Sequence, residues 1–343
     1  MIGSPVKNGS FLQIDESGKT PKFLQIVNGV ISGIETGVFK PGDRLPSINE
    51  TSAEYYLARA TVEKAYGSLL KSGHITSLYR KGFFVADGKA LKRVLFLVGR
   101  INDSSHVLFN ALSDALGRNY RIDMFAYEYR KEFFCDILDN QAGKYHYYVV
   151  MPHHLGESDD LRNTLRKIPN ERLFLLEEGP SPISRNCSSV GYGCGRQFRD
   201  LLEQNAGLFG KYRKLNFVTT DREYIPADWY SAFLNFTNAF GPEGRILDGM
   251  DEAPLEPGNA YLLFDDEDLV ETIRTLDRRG LKPGRDIGLL SFNDAGYKAL
   301  LAGGISVIRT DFSALARQLS DLIASGKRRH VRIPLQFIHR PSL

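Results

Sequence analysis

The chain has little cysteine and tryptophan and no long hydrophobic run. Its 343 residues include three cysteines and one tryptophan. Cys135, Cys187 and Cys194 form no CxxC pair and no zinc spacing, and their odd number argues against a disulfide framework, so we expect reduced thiols. No early segment has the apolar length of a signal peptide or a membrane span, which favours a cytoplasmic protein.

Motifs of the common enzyme classes are also missing. The sequence contains no nucleophile elbow, P-loop or HExxH pattern, and GYGCG at 191–195 is not a GxGxxG fingerprint, so we interpret it as a crossover between lobes. His153 and His154 are adjacent and therefore point in different directions, and no further ligand has metal spacing. We predict no catalysis, no metal and no cofactor.

The net charge of +3 is concentrated at one end of the chain. Residues 1–90 hold 11 Lys plus Arg and 8 Asp plus Glu, so they carry the whole excess. Within 57–82, five cations face the single acid Glu63. A local basic cluster beside a neutral remainder hints at a polyanion partner, although a solvated helix face would explain the same count.

The first 88 residues predict three helices. The first begins with Thr20 as N-cap and Pro21 in the first helical position and ends at Gly37. Ser47 and Glu50 have the spacing of a capping box, which starts a short second helix. The third lies within LARATVEKAYGSLLKSG, residues 57–73. Helical spacing predicts two buried faces, namely Phe23, Val27, Val30, Ile31 and Ile34, and Val62, Ala65, Tyr66, Leu69 and Leu70.

A basic hairpin follows the third helix. Two strand-like runs flank Tyr79-Arg80-Lys81-Gly82, in which the glycine can adopt a positive φ. Three helices and such a hairpin outline a winged helix-turn-helix. The outward face of the third helix presents Arg59, Ala60 and Lys64, which suit a guanine, a thymine methyl and a phosphate. The alternative, a merely solvated face, is less favoured because the cationic hairpin follows directly.

The run FKPGDRLPSINETSAEYYLARATVEKAYGSLLKSGHITSLYRKGFFV resembles the DNA-binding domain of the GntR family of bacterial transcription regulators. The likeness covers residues 21–86 and includes the PGDRLPS entry, the R-x-T-V helix start and the K-G-x-F-V wing. Carried over by position, it implies a phosphate contact from Ser47, recognition-helix contacts from Arg59 and Thr61, and a wing-tip contact from Gly82. The full set of predicted DNA contacts is Arg44, Ser47, Asn49, Arg59, Ala60, Thr61, Lys64, Arg80, Lys81 and Gly82.

Three positions depart from that family pattern. Asn49 stands where the family usually has Arg, Ala58 where it has Ser, and Tyr56 where it has a Gly in the turn. Asn49 can still donate a hydrogen bond but lacks the bidentate cation, and Ala58 cannot cap the third helix. We therefore expect an unusual grip on the phosphates.

The remainder, residues 89–343, alternates strand-like and helical segments. Short apolar runs such as VLFLV and IGLLS indicate βαβ units and parallel sheets, and the length of this body fits two lobes. Residues 92–340 resemble LacI-type regulators, whose effector domain shares the periplasmic sugar-binding-protein fold. The resemblance rests on G-x-x-P-x-x-D-I before a strand, an F-N-D loop and T-x-x-D-F-x-x-x-A. Residues 86–92 are small and polar, as in a linker.

In such a body the ligand is expected between the lobes, at loops that follow the carboxyl ends of strands. Trp229 could stack on a sugar ring there, or it could be an ordinary core aromatic. The predicted effector contacts are Arg100, Asn102, Asp103, His153, Glu177, Trp229, Asp266, Asn293 and Asp294.

The predicted fold class is an α+β winged helix-turn-helix domain at 1–88 joined to an α/β two-lobed periplasmic-binding-protein-like domain at 89–343. The predicted function is a homodimeric repressor that binds operator DNA and is controlled by a sugar. A nucleobase or amino acid effector is the first alternative. A catalytic body, as in GntR-type proteins with an aminotransferase-like domain, is disfavoured. Residues 89–343 are too short for such a domain and lack the sequence context of a Schiff-base lysine. An all-helical fatty-acid or metal-binding body disagrees with the βαβ alternation.

Overall fold

A computed structural model describes residues 12–16, 20–86, 91–153, 155, 158–177, 186–221, 223–250 and 254–343. The chain forms two compact units. Unit one comprises Met1–Leu176, Ser181–Ser189 and Ala316–Arg329, and unit two comprises Glu177–Pro180, Val190–Leu315 and His330–Leu343. Unit one therefore contains both the N-terminal head and the first part of the body.

The head has the predicted winged helix-turn-helix order. Its elements are α1 (Lys22–Glu35), α2 (Ile48–Glu54), α3 (Arg59–Lys71), β1 (Ile75–Leu78) and β2 (Gly82–Val85). The strands pair in antiparallel fashion, from Ile75 opposite Val85 to Leu78 opposite Gly82. Helical spacing places apolar side chains of α1 and α3 on facing stripes, and these stripes form one hydrophobic core with Val85.

Two details of the predicted head are wrong. The first helix begins at Lys22 with Pro21, not Thr20, as its N-cap residue. Leu70 is 37% exposed, so it lies outside the buried stripe formed by Val62, Ala65, Tyr66 and Leu69. It occupies the margin of that stripe, where helical spacing alone does not separate buried from half-exposed positions.

The first part of the body is built on a six-stranded sheet with the order β13-β7-β6-β5-β3-β4. Its strands are β3 (Lys92–Val98), β4 (Tyr120–Ala126), β5 (Tyr147–Val150), β6 (Leu173–Glu177), β7 (Ser188–Tyr192) and β13 (His330–Ile333). The helices along this stretch are α4 (Asp103–Leu116), α5 (Lys131–Gln141) and α6 (Asp159–Leu165). β3 pairs in parallel with β4 and β5, and β5 pairs in parallel with β6, as the continuous apolar runs predict.

A second six-stranded sheet has the order β14-β12-β11-β10-β8-β9. Its strands are β8 (Lys214–Thr219), β9 (Glu243–Asp248), β10 (Asn259–Leu263), β11 (Gly288–Phe292), β12 (Ser306–Thr310) and β14 (Leu335–Ile338). The remaining helices are α7 (Gly195–Gln204), α8 (Ala206–Phe209), α9 (Ala227–Phe240), α10 (Asp266–Arg278) and α11 (Phe312–Ser325). All pairings are parallel except β12 with β14. The predicted α/β body with two parallel sheets is confirmed.

The division between the two units falls within the body, and the domain boundary at residue 88 stays a prediction. The head shares unit one with the first sheet, and the chain passes into unit two within β7, beside the predicted crossover at 191–195. Residues 87–90 of the predicted linker lie outside the described residues. None of the described helices is long and apolar enough to cross a membrane.

Candidate nucleic-acid interface and effector loops

The third helix of the head, α3, is the predicted DNA-recognition helix, and it has one buried and one exposed side. Val62 and Tyr66 are fully buried against α1 and the wing, while Arg59, Ala60 and Lys64 are exposed. The Tyr66 ring meets Phe83 of β2 edge to face, with ring centroids 4.9 Å apart. The inward stripe thus fixes which side chains α3 offers to a groove.

Arg59 is positioned by its own helix. Its Nε donates to Oε1 of Glu63 at 2.8 Å, and both side chains are exposed. Exposed i,i+4 pairs contribute only about 0.3–0.5 kcal/mol, so a guanine edge can compete with this contact. Because the pair uses Nε, the two terminal amino groups of the guanidinium keep the geometry that a bidentate base contact needs.

Lys64 has a second role that the sequence did not indicate. Its Nζ lies 4.0 Å from the centre of the Phe23 ring in α1, which is a cation–π distance. The ammonium group therefore helps to hold α3 against α1. A phosphate contact from Lys64 stays a prediction, and it would have to compete with this ring.

The capping box at the start of α2 is confirmed. The Ser47 Oγ accepts from the Glu50 amide at 3.2 Å, and the Ser47 amide donates to Oε2 of Glu50 at 2.6 Å. The hydrogen bond from the Ser47 backbone lowers the pKa of Glu50 and keeps this carboxylate charged. Asn49, in the first turn of the same helix, is exposed.

The turn between α2 and α3 contains an unusual tyrosine. Tyr56 has φ +52° and is 94% exposed. A left-handed conformation costs a residue with a Cβ roughly 1–2 kcal/mol, which explains why glycine suits this position. Sequence reasoning noted the missing glycine but did not select Tyr56 as a functional residue. Two residues later, Ala58 makes no side-chain cap for α3.

The wing tip presents aromatic and cationic groups together. Tyr79 is exposed, and the Arg80 guanidinium lies 5.2 Å from the centre of its ring. Gly82 has φ +104°, as predicted, while Arg80 also adopts a positive φ of +58°. Arg44 forms a backbone bridge to Phe84, and its Nε lies 3.5 Å from where a Cβ of Gly82 would stand. Arg44 thus joins the cations of the tip, and Lys81 is exposed beside them.

Four predicted effector residues follow neighbouring parallel strands of unit one. Arg100, Asn102 and Asp103 follow β3, and His153 follows β5. The Arg100 Nε donates to Oε2 of Glu128 at 3.1 Å. Asn102 caps α4 by accepting from the Ser105 amide at 2.9 Å, and its side-chain oxygen is thereby engaged. The strand order brings these residues to one edge of the first sheet.

In unit two, Asp266 follows β10, and Asn293 and Asp294 follow the adjacent strand β11. Both carboxylates are already paired. Asp294 accepts two hydrogen bonds of 2.9 Å from the Arg340 guanidinium. Asp266 contacts the Tyr297 hydroxyl and accepts from Nζ of the buried Lys298 at 2.6 Å. Asn293 has φ +58°.

Glu177 is the last residue of β6 and is buried. The loop that follows, at 178–185, lies outside the described residues. Within the described residues, no group of three or more His, Cys, Asp or Glu side chains is arranged to hold a metal ion.

The predicted role of Trp229 in stacking on a sugar is not supported by its position. Its side chain is 1% exposed and stacks on Phe198, with ring centroids 4.1 Å apart and an interplanar angle of 6°. Its Nε1 donates to the Gly193 carbonyl at 2.5 Å. The preceding Asp228 accepts from the Gly195 amide at 2.6 Å. The alternative reading therefore holds: Trp229 is a core aromatic that anchors the segment 191–195 within unit two.

Fold and surface together define the class of this chain: a winged helix-turn-helix head joined to an α/β body of the periplasmic-binding type. Residues 24–85 match the family described as "Bacterial regulatory proteins, gntR family". The chain thus carries a GntR-family helix-turn-helix domain, and the predicted resemblance of residues 21–86 to this domain is confirmed.

Curated relatives match this head. The HTH-type transcriptional regulator YurK of Bacillus subtilis is 34% identical over 85 residues, which is 25% of this chain and 35% of that protein. The arabinose metabolism transcriptional repressor of Geobacillus stearothermophilus is 34% identical over 74 residues, 22% of this chain and 20% of that protein. These matches span only a minority of each relative's own length.

Solved structures resemble the body. The trehalose repressor from Escherichia coli superposes with a TM-score of 0.60 at 15% identity, covering 73% of this chain and 100% of that chain. A periplasmic binding protein/LacI transcriptional regulator from Alkaliphilus metalliredigens, complexed with D-xylulofuranose, gives a TM-score of 0.58 at 15% identity and covers 73% and 98%. At these identities the likeness establishes the fold.

Proposed function

We propose that this chain is a transcription repressor that binds operator DNA through residues 1–88 and senses a small molecule through residues 89–343. One observation carries the DNA-binding half. The outward edge of α3 at Arg59 and Ala60 is open, while the same helix is buried on its other side and followed by a wing with Arg80 and Lys81 at its tip.

In this proposal the head divides its contacts by chemistry. Arg59 forks onto a guanine and Ala60 meets a thymine methyl, since α3 enters the major groove with its N-terminal end. Thr61 hydrogen-bonds a neighbouring base or phosphate. The wing contributes Arg80, Lys81 and the Gly82 backbone to the phosphates or the minor groove. Arg44, Ser47, Asn49 and Lys64 add further phosphate contacts.

The effector we propose is a monosaccharide or sugar derivative. The predicted effector residues are Arg100, Asn102, Asp103 and His153 after strands β3 and β5, Glu177 at the end of β6, and Asp266, Asn293 and Asp294 after strands β10 and β11. Sugar hydroxyls need hydrogen-bond donors and acceptors of this kind. Among the structural neighbours are a trehalose repressor and a regulator complexed with D-xylulofuranose. A histidine utilization repressor also matches the head, so an amino acid effector is the alternative.

We propose further that the chain acts as a homodimer in the cytoplasm and catalyses no reaction. Helix-turn-helix proteins commonly dimerise because two heads can then bind two half-sites one helical turn apart. Effector control requires that the ligand binds the DNA-bound and free states with different affinity.

The DNA-binding half is tested with Arg59→Ala. A duplex is first enriched from a random library by the wild-type chain, and its affinity is measured at fixed salt. We expect Arg59→Ala to weaken binding about 10- to 100-fold, because a bidentate base contact discriminates by about 1–3 kcal/mol. Arg118→Ala, at an exposed arginine of the body, is the matched control. Equal affinity of all three proteins would refute the assigned reading edge.

The effector half is tested by thermal unfolding with a panel of monosaccharides. A ligand present at 100 times its Kd stabilises the native state by about 2.7 kcal/mol, which raises the midpoint. If amino acids or nucleobases raise the midpoint and no sugar does, the carbohydrate assignment is wrong.

A further inference from the structure

The carboxyl-terminal end of α3 touches the first lobe of the body. Ser68 Oγ donates to the Gly143 carbonyl, 75 residues away in sequence, at 2.7 Å. Gly143 has φ +74°, and a Cβ there would stand 2.9 Å from Cδ2 of Leu24 in α1. Glycine is needed at this position both for its backbone conformation and for the close approach of α1.

Two buried histidines meet at the same place. His74 follows α3 and stacks on His146, which precedes β5, with ring centroids 3.7 Å apart and an interplanar angle of 25°. Each ring is held from its own side: His74 Nδ1 lies 2.7 Å from Ser72 Oγ, and His146 Nδ1 accepts from the Arg93 amide at 3.0 Å. Since His146 Nδ1 is an acceptor, this ring is neutral in the contact.

A buried cation completes the contact. Arg172 is 2% exposed, and its guanidinium pairs with the Glu35 carboxylate at the end of α1 at 3.5 Å. Burial is the main cause that lowers the pKa of both histidines. His146 and then Arg172 and Lys92 lower the pKa of His74 further, and Arg172, Lys92 and Arg93 lower that of His146 further. Burial and the nearby charges of Arg172 and Lys92 both disfavour a protonated ring, so neutral imidazoles are the form compatible with this contact.

We infer that Ser68, His74 and His146 are positioning residues that dock the recognition helix onto the first lobe, so that head and lobe move as one body. Three independent contacts, from α1, α3 and the segment after α3, fix an orientation that a polar linker alone would leave free. The side chains proposed to contact DNA, Arg59 and Ala60 on α3 and Lys81 on the wing, remain exposed in this docked form. The docked form is thus the one competent to bind DNA, an interpretation that rests on the proposed function.

Docking itself is tested without DNA, by amide hydrogen exchange on the full chain. His146→Asn keeps a hydrogen-bond acceptor for the Arg93 amide but removes the stacked ring. We expect exchange in residues 66–75 of the head to become about fivefold faster, the factor expected when about one interaction is lost from a local opening equilibrium. His106→Asn, at an exposed histidine of α4 in the same lobe, should leave the head unchanged.

A second variant, with its substitution in the head, excludes the explanation that His146→Asn merely destabilises the lobe. Ser68→Ala removes one hydroxyl from the head and should speed exchange in residues 142–148 of the lobe. Ser77→Ala, at an exposed serine of β1, is its control. A variant that merely loosens its own segment would not change exchange across the contact. If neither His146→Asn nor Ser68→Ala has an effect across the contact, docking is refuted.

DNA binding provides the second readout. The probe is the duplex of about 30 base pairs that the wild-type chain enriches from a random library, long enough for two half-sites. Ser68→Ala should weaken binding to this duplex about fivefold and leave binding to the unselected library unchanged, since only the selected site requires fixed recognition helices. Unchanged affinity for the selected duplex would overturn the positioning role. Failure of the wild type to enrich any duplex would instead count against the proposed function, and the exchange result would still decide docking.

Discussion

The stacked histidines make the stability of unit one sensitive to mild acid, and the size of the effect follows from one group. Burial lowers the pKa of His146 from 6.5 to about 3. Since the folded value lies below the unfolded value, the unfolded chain binds more protons between these limits. The free energy of unfolding therefore falls as the pH is lowered below 6.5 and is fully retained above it.

Lowering the pH from 8 to 5 should cost about 2 kcal/mol from His146 alone, by the linkage relation with an unfolded pKa of 6.5. The figure is nearly the same for any folded pKa below about 4, because at pH 5 the folded ring is then mostly neutral. The pKa of His74 is also lowered by burial and by His146, so it contributes in the same direction.

The assay is urea unfolding of the full chain at pH 8 and pH 5, followed at backbone amide signals of residues in unit one. The decisive quantity is the difference between the two pH values, because His146→Asn also removes packing and lowers stability at both. We expect this variant to lose less stability on acidification than the wild type, by about 2 kcal/mol. His106→Asn should behave as the wild type. Equal pH dependence of wild type and His146→Asn would refute the reasoning from burial.

Two further substitutions test features that the sequence did not reveal. Tyr56→Gly should have a free energy of unfolding about 1 kcal/mol higher than Tyr56→Ala, because only glycine adopts a positive φ without strain. Its midpoint in urea denaturation should therefore be higher, and equal midpoints would contradict the left-handed turn. Trp229→Ala should reduce the free energy of unfolding by about 3–5 kcal/mol in urea titrations, as expected for a buried aromatic, and a loss below about 1 kcal/mol would argue against its place in the core.

Local signals were sufficient for the head and for the sheet class. The capping box of Ser47 and Glu50, the buried stripe around Val62 and the glycine at the wing tip each depend on residues within a few positions of one another. Continuous apolar runs separated by helices likewise indicate buried parallel strands. Features of such short sequence range were predicted correctly, except for the N-cap of α1, which is Pro21, and for Leu70 at the margin of the buried stripe.

Trp229 shows where this reasoning fails. It lies in the first turn of α9, and its exposure depends on what packs against that helix. The stacking partner Phe198 lies in α7 and the hydrogen-bond acceptor Gly193 precedes it. No periodicity within α9 distinguishes an aromatic facing a ligand from one facing another helix. The same limit applies to Lys64, whose ring partner Phe23 belongs to α1.

The contact of His74 with His146 joins residues that are far apart in the sequence, so no local pattern predicts it. It offers a route by which a change in the body could reach α3. A linker can transmit a change only by pulling on the end of the head. Docking at Gly143 and His146, in the segment that leads directly into β5, lets a small shift of that strand move α3 itself. Strand β5 begins directly after His146, which stacks on His74 just beyond the end of α3. The same strand ends near His153, a proposed effector residue. An effector that displaced β5 would act on α3 through packed side chains, and its influence should weaken in Ser68→Ala and in His146→Asn, since each variant removes one of the three contacts.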